Sequence, residues 1–261
     1  SGFLIDHNSI SGCSRIGLDA DNCVEKVEFK KIKVGYFWPE SLSISPDSSK
    51  CISGYNTVNP LTTEISTMIS CYRSYDWKHL WTKKVRGRCI MNRDNSSNFY
   101  WSPDGKSILF AQSEESADGK TISVFNLNIA NQSVTNVFSK KYKDTYYSVR
   151  PYMDWTEHGI LISLGNQFVY LKTKNSNKFE QLSLPDDIKC IKDCKFSPDG
   201  SLVLFFGAKC SNISRAGFET YLYVCNIETG KLSSVKLAGN FFSNEQQATW
   251  IYPDRPGFLM K

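Results

Sequence analysis

Several things are scarce in this sequence, and each scarcity excludes something. Helical periodicity is nearly missing, with few stretches placing apolar residues at i, i+3, i+4 and i+7, so helical bundles and helical repeats are excluded. No apolar run approaches the roughly 18–20 residues of a membrane-spanning helix. The longest, Leu202–Gly207, has the length of a strand. Histidine occurs three times, at scattered positions (His7, His79 and His158), and no Cys-x-x-Cys is present, so no zinc-ligand spacing can be read. The nucleophile elbow G-x-S-x-G, the phosphate loop G-x-x-x-x-G-K-[ST], the dinucleotide fingerprint G-x-G-x-x-G and the metalloprotease H-E-x-x-H are all missing, so the common hydrolase, nucleotidase and dehydrogenase signatures do not apply. We therefore read no catalytic residue, no metal site and no cofactor. Ser1-Gly2-Phe3-Leu4 carries neither a basic n-region nor a long apolar h-region, so no secretory leader is read there.

What is present points to strands. Of 261 residues, 41% are hydrophobic and 13% aromatic, and aromatic side chains favour pleated, half-buried surfaces. The nine cysteines are irregularly spaced, and several lie inside apolar runs, as in Ile69-Ser70-Cys71-Tyr72 and Tyr223-Val224-Cys225. Buried free thiols in a reducing, cytoplasmic setting are the expected reading. Partial disulfide bonding in a secreted protein is the alternative, and only there would the sequons at Asn95, Asn131 and Asn212 matter.

An internal repeat organises the chain. Ile44-Ser45-Pro46-Asp47-Ser48, Trp101-Ser102-Pro103-Asp104-Gly105 and Phe196-Ser197-Pro198-Asp199-Gly200 share one pattern, and each runs into an apolar stretch. Weaker copies begin at Trp155 (Trp155-Thr156-Glu157-His158-Gly159) and at Trp250. The lead residues are 57, 54, 41 and 54 positions apart, a period that suits a four-stranded propeller blade. Proline presets the first corner of a turn, aspartate bonds the backbone two residues on, and glycine supplies positive φ, so the motif joins two antiparallel strands. The acids Asp47, Asp104 and Asp199 are thus read as turn formers.

The W/F-S-P-D-G signature resembles that of TolB-like and WD-repeat propellers, where it marks the turn between the first two strands of a blade. The Gly-His and Trp-Asp pairs of WD repeats are lacking. The resemblance implies an all-β fold, a single β-propeller over 1–261 with five four-stranded blades. The blades are expected near 36–88, 89–143, 144–184 and 185–238, with a fifth composed of 239–261 and 1–35, so that N-terminal strands close the ring and leave no open edge. A larger ring, of which this chain is part, is the alternative.

Basic residues recur with the blades. Lys30, Lys31 and Lys33 precede blade one. Lys83, Lys84, Arg86 and Arg88 precede blade two, and Lys140, Lys141 and Lys143 precede blade three. Equivalent positions in a propeller share one face of the disc, so these ten residues are expected to form a basic surface, with Lys189, Lys192 and Lys236 as extensions. A protein partner is the first expectation, with nucleic acid or anionic lipid as polyanionic alternatives. Tyr36, Phe37, Tyr142, Tyr146 and Tyr147 would then be candidates for stacking on bases. The bland alternative is that these lysines solvate strand ends. The expected function is a non-enzymatic binding scaffold, in its own right or within a longer protein. Two further readings stay open: a five-bladed glycoside hydrolase with paired carboxylates, for which Asp6, Asp154 and Glu219 are conceivable, and a TolB-like envelope or secreted accessory protein.

Overall fold

The computed structural model describes residues 3–6, 9–13, 29–33, 41–90, 98–142, 151–164, 168–210, 218–237, 247–252 and 255–259, and every regular element among them is a strand. The chain first forms β1 (Phe3–Asp6), β2 (Ser9–Cys13) and β3 (Phe29–Lys33), a three-stranded antiparallel sheet. Blade one follows as β4 (Ser41–Ile44), β5 (Lys50–Val58), β6 (Ile65–Arg73) and β7 (His79–Arg86), paired in chain order. In blade two the first strand is split into β8 (Arg88–Cys89) and β9 (Tyr100–Trp101), and both pieces pair with β10 (Ser107–Ser116). β11 (Gly119–Asn128) and β12 (Val134–Tyr142) complete it. Blade three is β13 (Tyr152–Thr156), β14 (Gly159–Ser163), β15 (Val169–Thr173) and β16 (Glu180–Gln181). Blade four is β17 (Ile188–Phe196), β18 (Leu202–Cys210), β19 (Phe218–Asn226) and β20 (Leu232–Lys236). A hairpin of β21 (Gln247–Tyr252) and β22 (Arg255–Leu259) ends the chain.

Successive first strands touch: β4 meets β9, β9 meets β13, β13 meets β17 and β17 meets β21. This places the first strand of each blade innermost. The expectation of an all-β propeller of hairpin-built blades holds. Among the described residues the β1–β3 sheet and the β21–β22 hairpin are separate sheets, with no strand pairing between them.

The Ser-Pro-Asp turns are built alike. In blades one, two and four the motif serine donates its hydroxyl to the motif aspartate at 2.6, 2.7 and 2.6 Å. The serine oxygen also accepts the N–H of Lys50, Ser107 or Leu202 at 2.9 Å in each blade. The carboxylate accepts the N–H two residues on, from Ser49, Lys106 and Ser201, at 3.0–3.1 Å. The fifth position is left-handed each time, with φ of 56° at Ser48, 66° at Gly105 and 74° at Gly200. The bonds from Ser45 and Ser197 hold Asp47 below the usual carboxylate range and Asp199 down to about 2. The three acids are turn formers, as expected.

Blade three departs from this plan. Ile44 pairs with Cys51, Trp101 with Ile108 and Phe196 with Val203, so six residues make each of those turns. Trp155 pairs with Ile160, leaving four. The turn of blade three is therefore two residues shorter.

Apolar side chains fill the gaps between blades. Ile52, Ile69, Cys71 and Trp81 of blade one pack on Phe99, Trp101, Ile108, Phe110 and Leu127 of blade two. Leu109, Ala111, Ile122 and Val124 meet Met153, Ile162 and Tyr170 of blade three. Leu161, Val169 and Leu171 meet Ile191, Phe196, Val203 and Phe205 of blade four. Burial of such residues, about 1.5–3 kcal/mol for each fully buried large side chain, is the main force holding the blades side by side.

Candidate functional site: the cationic ends of the outer strands

In a blade the first and third strands run toward the Ser-Pro-Asp turn and the second and fourth run away from it. The C-terminal ends of β7 and β12 therefore lie on the disc face opposite those turns. Here the structure places the sequence-predicted cations. Lys83, Lys84 and Arg86 lie within β7, and Arg88 opens β8. Lys140 and Lys141 lie within β12. Lys30, Lys31 and Lys33 lie on β3, paired with Gly12, Ser11 and Ser9, and their side chains fall outside the described residues, as does Lys143 altogether. Apart from Arg88, which opens the inner strand of blade two, the described cations thus sit inside outer strands and not only in linkers between blades. An outermost strand carries solvent along one edge, so it accommodates alternating charge that an inner strand would bury.

Period-two alternation divides each cluster. On β7, Trp81, Lys83 and Val85 are half-buried, and Trp81 and Val85 pack on the core shared with blade two. Thr82, Lys84 and Arg86 are exposed. On β12, the Nζ of Lys140 lies 5.9 Å from the centre of the Tyr170 ring of blade three, within cation–π range.

Part of the positive charge is matched within the blade. Arg86 pairs with Glu64 at 3.2 Å, Lys141 with Asp118 at 3.4 Å and Lys236 with Glu219 at 2.5 Å. Each acid belongs to the connection between the second and third strands of the same blade or to its immediate end. Sequence reading missed these pairings, with Glu219 weighed only as a catalytic acid, because strand pairing and not sequence spacing brings the acids to the cations. Lys83, Lys84, Arg88 and Lys140 make no ion pair among the described residues. Lys236, expected to extend the surface, is engaged by Glu219, while the side chains of Lys189 and Lys192 fall outside the described residues.

The stacking candidates change as well. Tyr142 is buried at 7% exposure, its ring centre 6.3 Å from that of Phe168, so it is a core residue between blades two and three and not a base-stacking platform. Tyr36, Phe37, Tyr146 and Tyr147 lie outside the described residues.

The conceivable carboxylate pair is not brought together. Asp154 sits on the innermost strand β13, where it accepts the N–H of Phe196 at 2.8 Å. That bond ties blade three to β17 beside the irregularity between Lys192 and Lys195. Burial holds the Asp154 carboxyl above its usual range. Glu219 lies at the far end of blade four, paired across strands with Lys209. Lys209 is six positions along β18 from Val203, the neighbour of Phe196, or about 20 Å along the strand. Asp6 lies on β1, and its side chain is outside the described residues.

The thiols of five cysteines are described, and all five are buried. Cys51, Cys71, Cys194 and Cys225 are free thiols, and Cys89 is buried with them. Burial pushes Cys51 up to about 12 and Cys71 up to about 11, far from the thiolate form that reacts. Among the described residues no cluster of His, Cys, Asp and Glu is arranged to hold a metal ion, and no helix is long and apolar enough to cross a membrane.

No protein-family model matches the chain. No curated protein sequence matches it either. Solved structures do. TolB from Acinetobacter baumannii aligns with a TM-score of 0.52 at 14% identity, over 96% of this chain and 56% of that one. The β-propeller domain of the trilobed protease from Pyrococcus furiosus aligns at 0.51 and 13% identity, over 80% of this chain and 62% of that one. An acylaminoacyl peptidase from Pyrococcus horikoshii aligns at 0.55 and 9% identity, over 90% of this chain and 36% of that one. This chain therefore spans less than two thirds of the length of each. Likeness at such identity speaks for architecture alone, and on that ground the chain is a β-propeller of TolB-like fold.

Proposed function

We propose that this propeller is a non-enzymatic binding scaffold that holds an acidic surface of a partner protein against the face where its outer strands end. The observation that carries this reading is the set of four cations without acidic partners among the described residues: Lys83 and Lys84 in the second half of the outer strand β7, Arg88 at the start of the inner strand β8 and Lys140 near the end of the outer strand β12. Arg86 and Lys141, already shared with Glu64 and Asp118, give the face a mixed rim that favours a shaped protein surface over a uniform polyanion. Lys30, Lys31, Lys33 and Lys143 belong to the same surface in this reading. So does closure of the disc by a fifth blade from residues 239–261 and 1–35, which the three-stranded β1–β3 sheet and the β21–β22 hairpin support. An intracellular, reducing setting is also part of the proposal, supported by the free buried thiols of Cys51, Cys71, Cys194 and Cys225.

The test is a salt-titrated binding assay with fluorescein-labelled poly-glutamate, single-stranded RNA and anionic lipid vesicles as parallel probes. Poly-glutamate binding is expected to weaken by at least about tenfold between about 50 and 500 mM salt. The combined variant K83E/K84E/R88E/K140E is expected to abolish it with the fold intact. Binding of RNA or vesicles alone would replace the protein partner by that polyanion. Unchanged poly-glutamate binding in the variant would remove the site.

A further inference from the structure

The other face of the disc, where the Ser-Pro-Asp turns lie, carries a second feature that none of the charge patterns revealed. In blades two, three and four the motif's lead residue begins a row of cross-strand neighbours that faces the preceding blade. In blade two the row is Trp101, Ile108 and Leu127, all buried. In blade four it is Phe196, Val203 and Cys225, also buried. In blade three the row is Trp155, Ile160 and Lys172, and all three are only half-buried, with Trp155 and Ile160 packed by one side against the core shared with blade two. A lysine stands where its counterparts are leucine and cysteine.

The turns above these rows differ in the same way. Between blades one and two, Pro46 lies 3.9 Å from where a Cβ on Gly105 would stand. Between blades three and four, His158 covers Gly200 closely, and its Nε2 lies 2.9 Å from the Pro198 carbonyl oxygen. Between blades two and three the shortened turn leaves a groove of about 490 Å³, with Pro103 and Asp104 on one wall and Trp155, Ile160, Lys172 and Lys174 on the other. That volume lies in the range of sites that enclose small ligands or short peptide segments. Two carboxylates line the groove: Asp104 is satisfied by Ser102 and Lys106, and Glu157 lies 3.7 Å from the Nε2 of His158. Lys172 and Lys174 have no ion pair among the described residues. On the opposing face of blade two, Asn126, the cross-strand neighbour of Leu109, holds a buried Oδ1 with no hydrogen-bond partner among the described residues.

We infer that this groove is a peptide-binding site for a partner segment in which an apolar side chain lies one or two residues before an acidic one. The apolar group covers Trp155 and Ile160, and the carboxylate reaches Lys172 and Lys174. Charge complementarity selects this occupant. The aromatic floor supplies contact area at low entropic cost, and two unmatched cations at the outer end select a carboxylate over a neutral side chain. This site is on the face opposite the strand-end cations and stands independently of them.

The experiment is fluorescence anisotropy on the full chain with labelled peptides carrying Phe or Leu one or two residues before Glu or Asp, each matched by a Gln or Asn control. Saturable binding below about 1 mM, at least about tenfold weaker for the neutral controls, is expected. K172E/K174E is expected to weaken it at least about tenfold with an unchanged melting temperature, because both residues are surface groups. It should leave poly-glutamate binding at the strand-end face untouched, while K83E/K84E/R88E/K140E leaves peptide binding untouched. W155A should lose binding and W155F recover it, which separates lost contact from lost fold. No saturable binding, equal affinity for the neutral peptides, or indifference to K172E/K174E would overturn the inference.

Discussion

The junction between blades three and four and the junction between blades two and three are made from the same parts and end differently. In the first, a six-residue turn on blade four receives His158 against Gly200, and the row beneath, Phe196, Val203 and Cys225, is sealed. In the second, a four-residue turn on blade three leaves Trp155, Ile160 and Lys172 only half-buried along a groove. Lower down, both junctions are closed by ordinary apolar packing. The difference shows that a propeller can keep a groove between two blades by shortening one turn and changing one residue of a row, without disturbing the core that fixes the blades.

The comparison can be broken by removing the lead aromatic on either side. Trp101→Ala empties a sealed position and is expected to cost about 3–5 kcal/mol. Trp155→Ala removes a half-exposed ring and is expected to cost about 1–2 kcal/mol. Urea unfolding of the two variants reads the difference directly, and equal losses would mean that the groove is closed in solution.

The turns give a second contrast, of smaller size. A Cβ on Gly200 would stand 2.2 Å from the His158 ring at φ +74°, whereas one on Gly230, at φ +67°, meets nothing within 4 Å. Gly230→Ala pays only for the left-handed backbone, about 1–2 kcal/mol. Gly200→Ala pays that and must also displace His158, so its melting temperature should fall further. Similar falls would mean that His158 does not seal the junction.

Two aspartates sharpen the comparison through pH. Asp199 is held down to about 2 by its turn bonds, so the stability it contributes is present above the ordinary carboxylate value of 3.8 and is lost as pH falls toward 2. Asp154 has the opposite sign. Its carboxyl is raised by burial, so ionising it destabilises the fold as pH climbs from 3.8 through the raised value. Asp154→Asn keeps an acceptor for the Phe196 N–H and removes that ionisation. Its stability relative to the parent should rise across this window, and a constant offset at every pH would show that burial does not perturb Asp154. The smallest effect is expected from Lys172→Leu, which restores the row found in blade two. It should leave stability within about 0.5 kcal/mol while weakening the acidic-peptide binding.

Much of the fold was legible because Ser-Pro-Asp is a local device: serine, aspartate and the fifth residue complete their bonds within six positions, and neighbours in sequence carry all of it. The cations were legible as residues but not as a surface. Glu64 and Asp118 reach Arg86 and Lys141 through strand pairing, and alternation along β7 turns Lys83 and Lys84 to opposite sides of one strand. Tyr142 reads as an exposed aromatic beside lysines until β12 is seen to end against Phe168. The groove was not legible at all. Trp155, Ile160 and Lys172 become neighbours only once the register of three strands is known, and the two-residue shortening of the turn shows only in the pairing of Trp155 with Ile160.

The most direct measurement is the solvent accessibility of the tryptophan side chains by NMR with a soluble paramagnetic agent, with resonances assigned through single Trp→Phe variants. Strong relaxation enhancement at Trp155 alongside protection of Trp101 is the expected result. Equal protection of both would contradict an open junction between blades two and three, and with it the peptide groove.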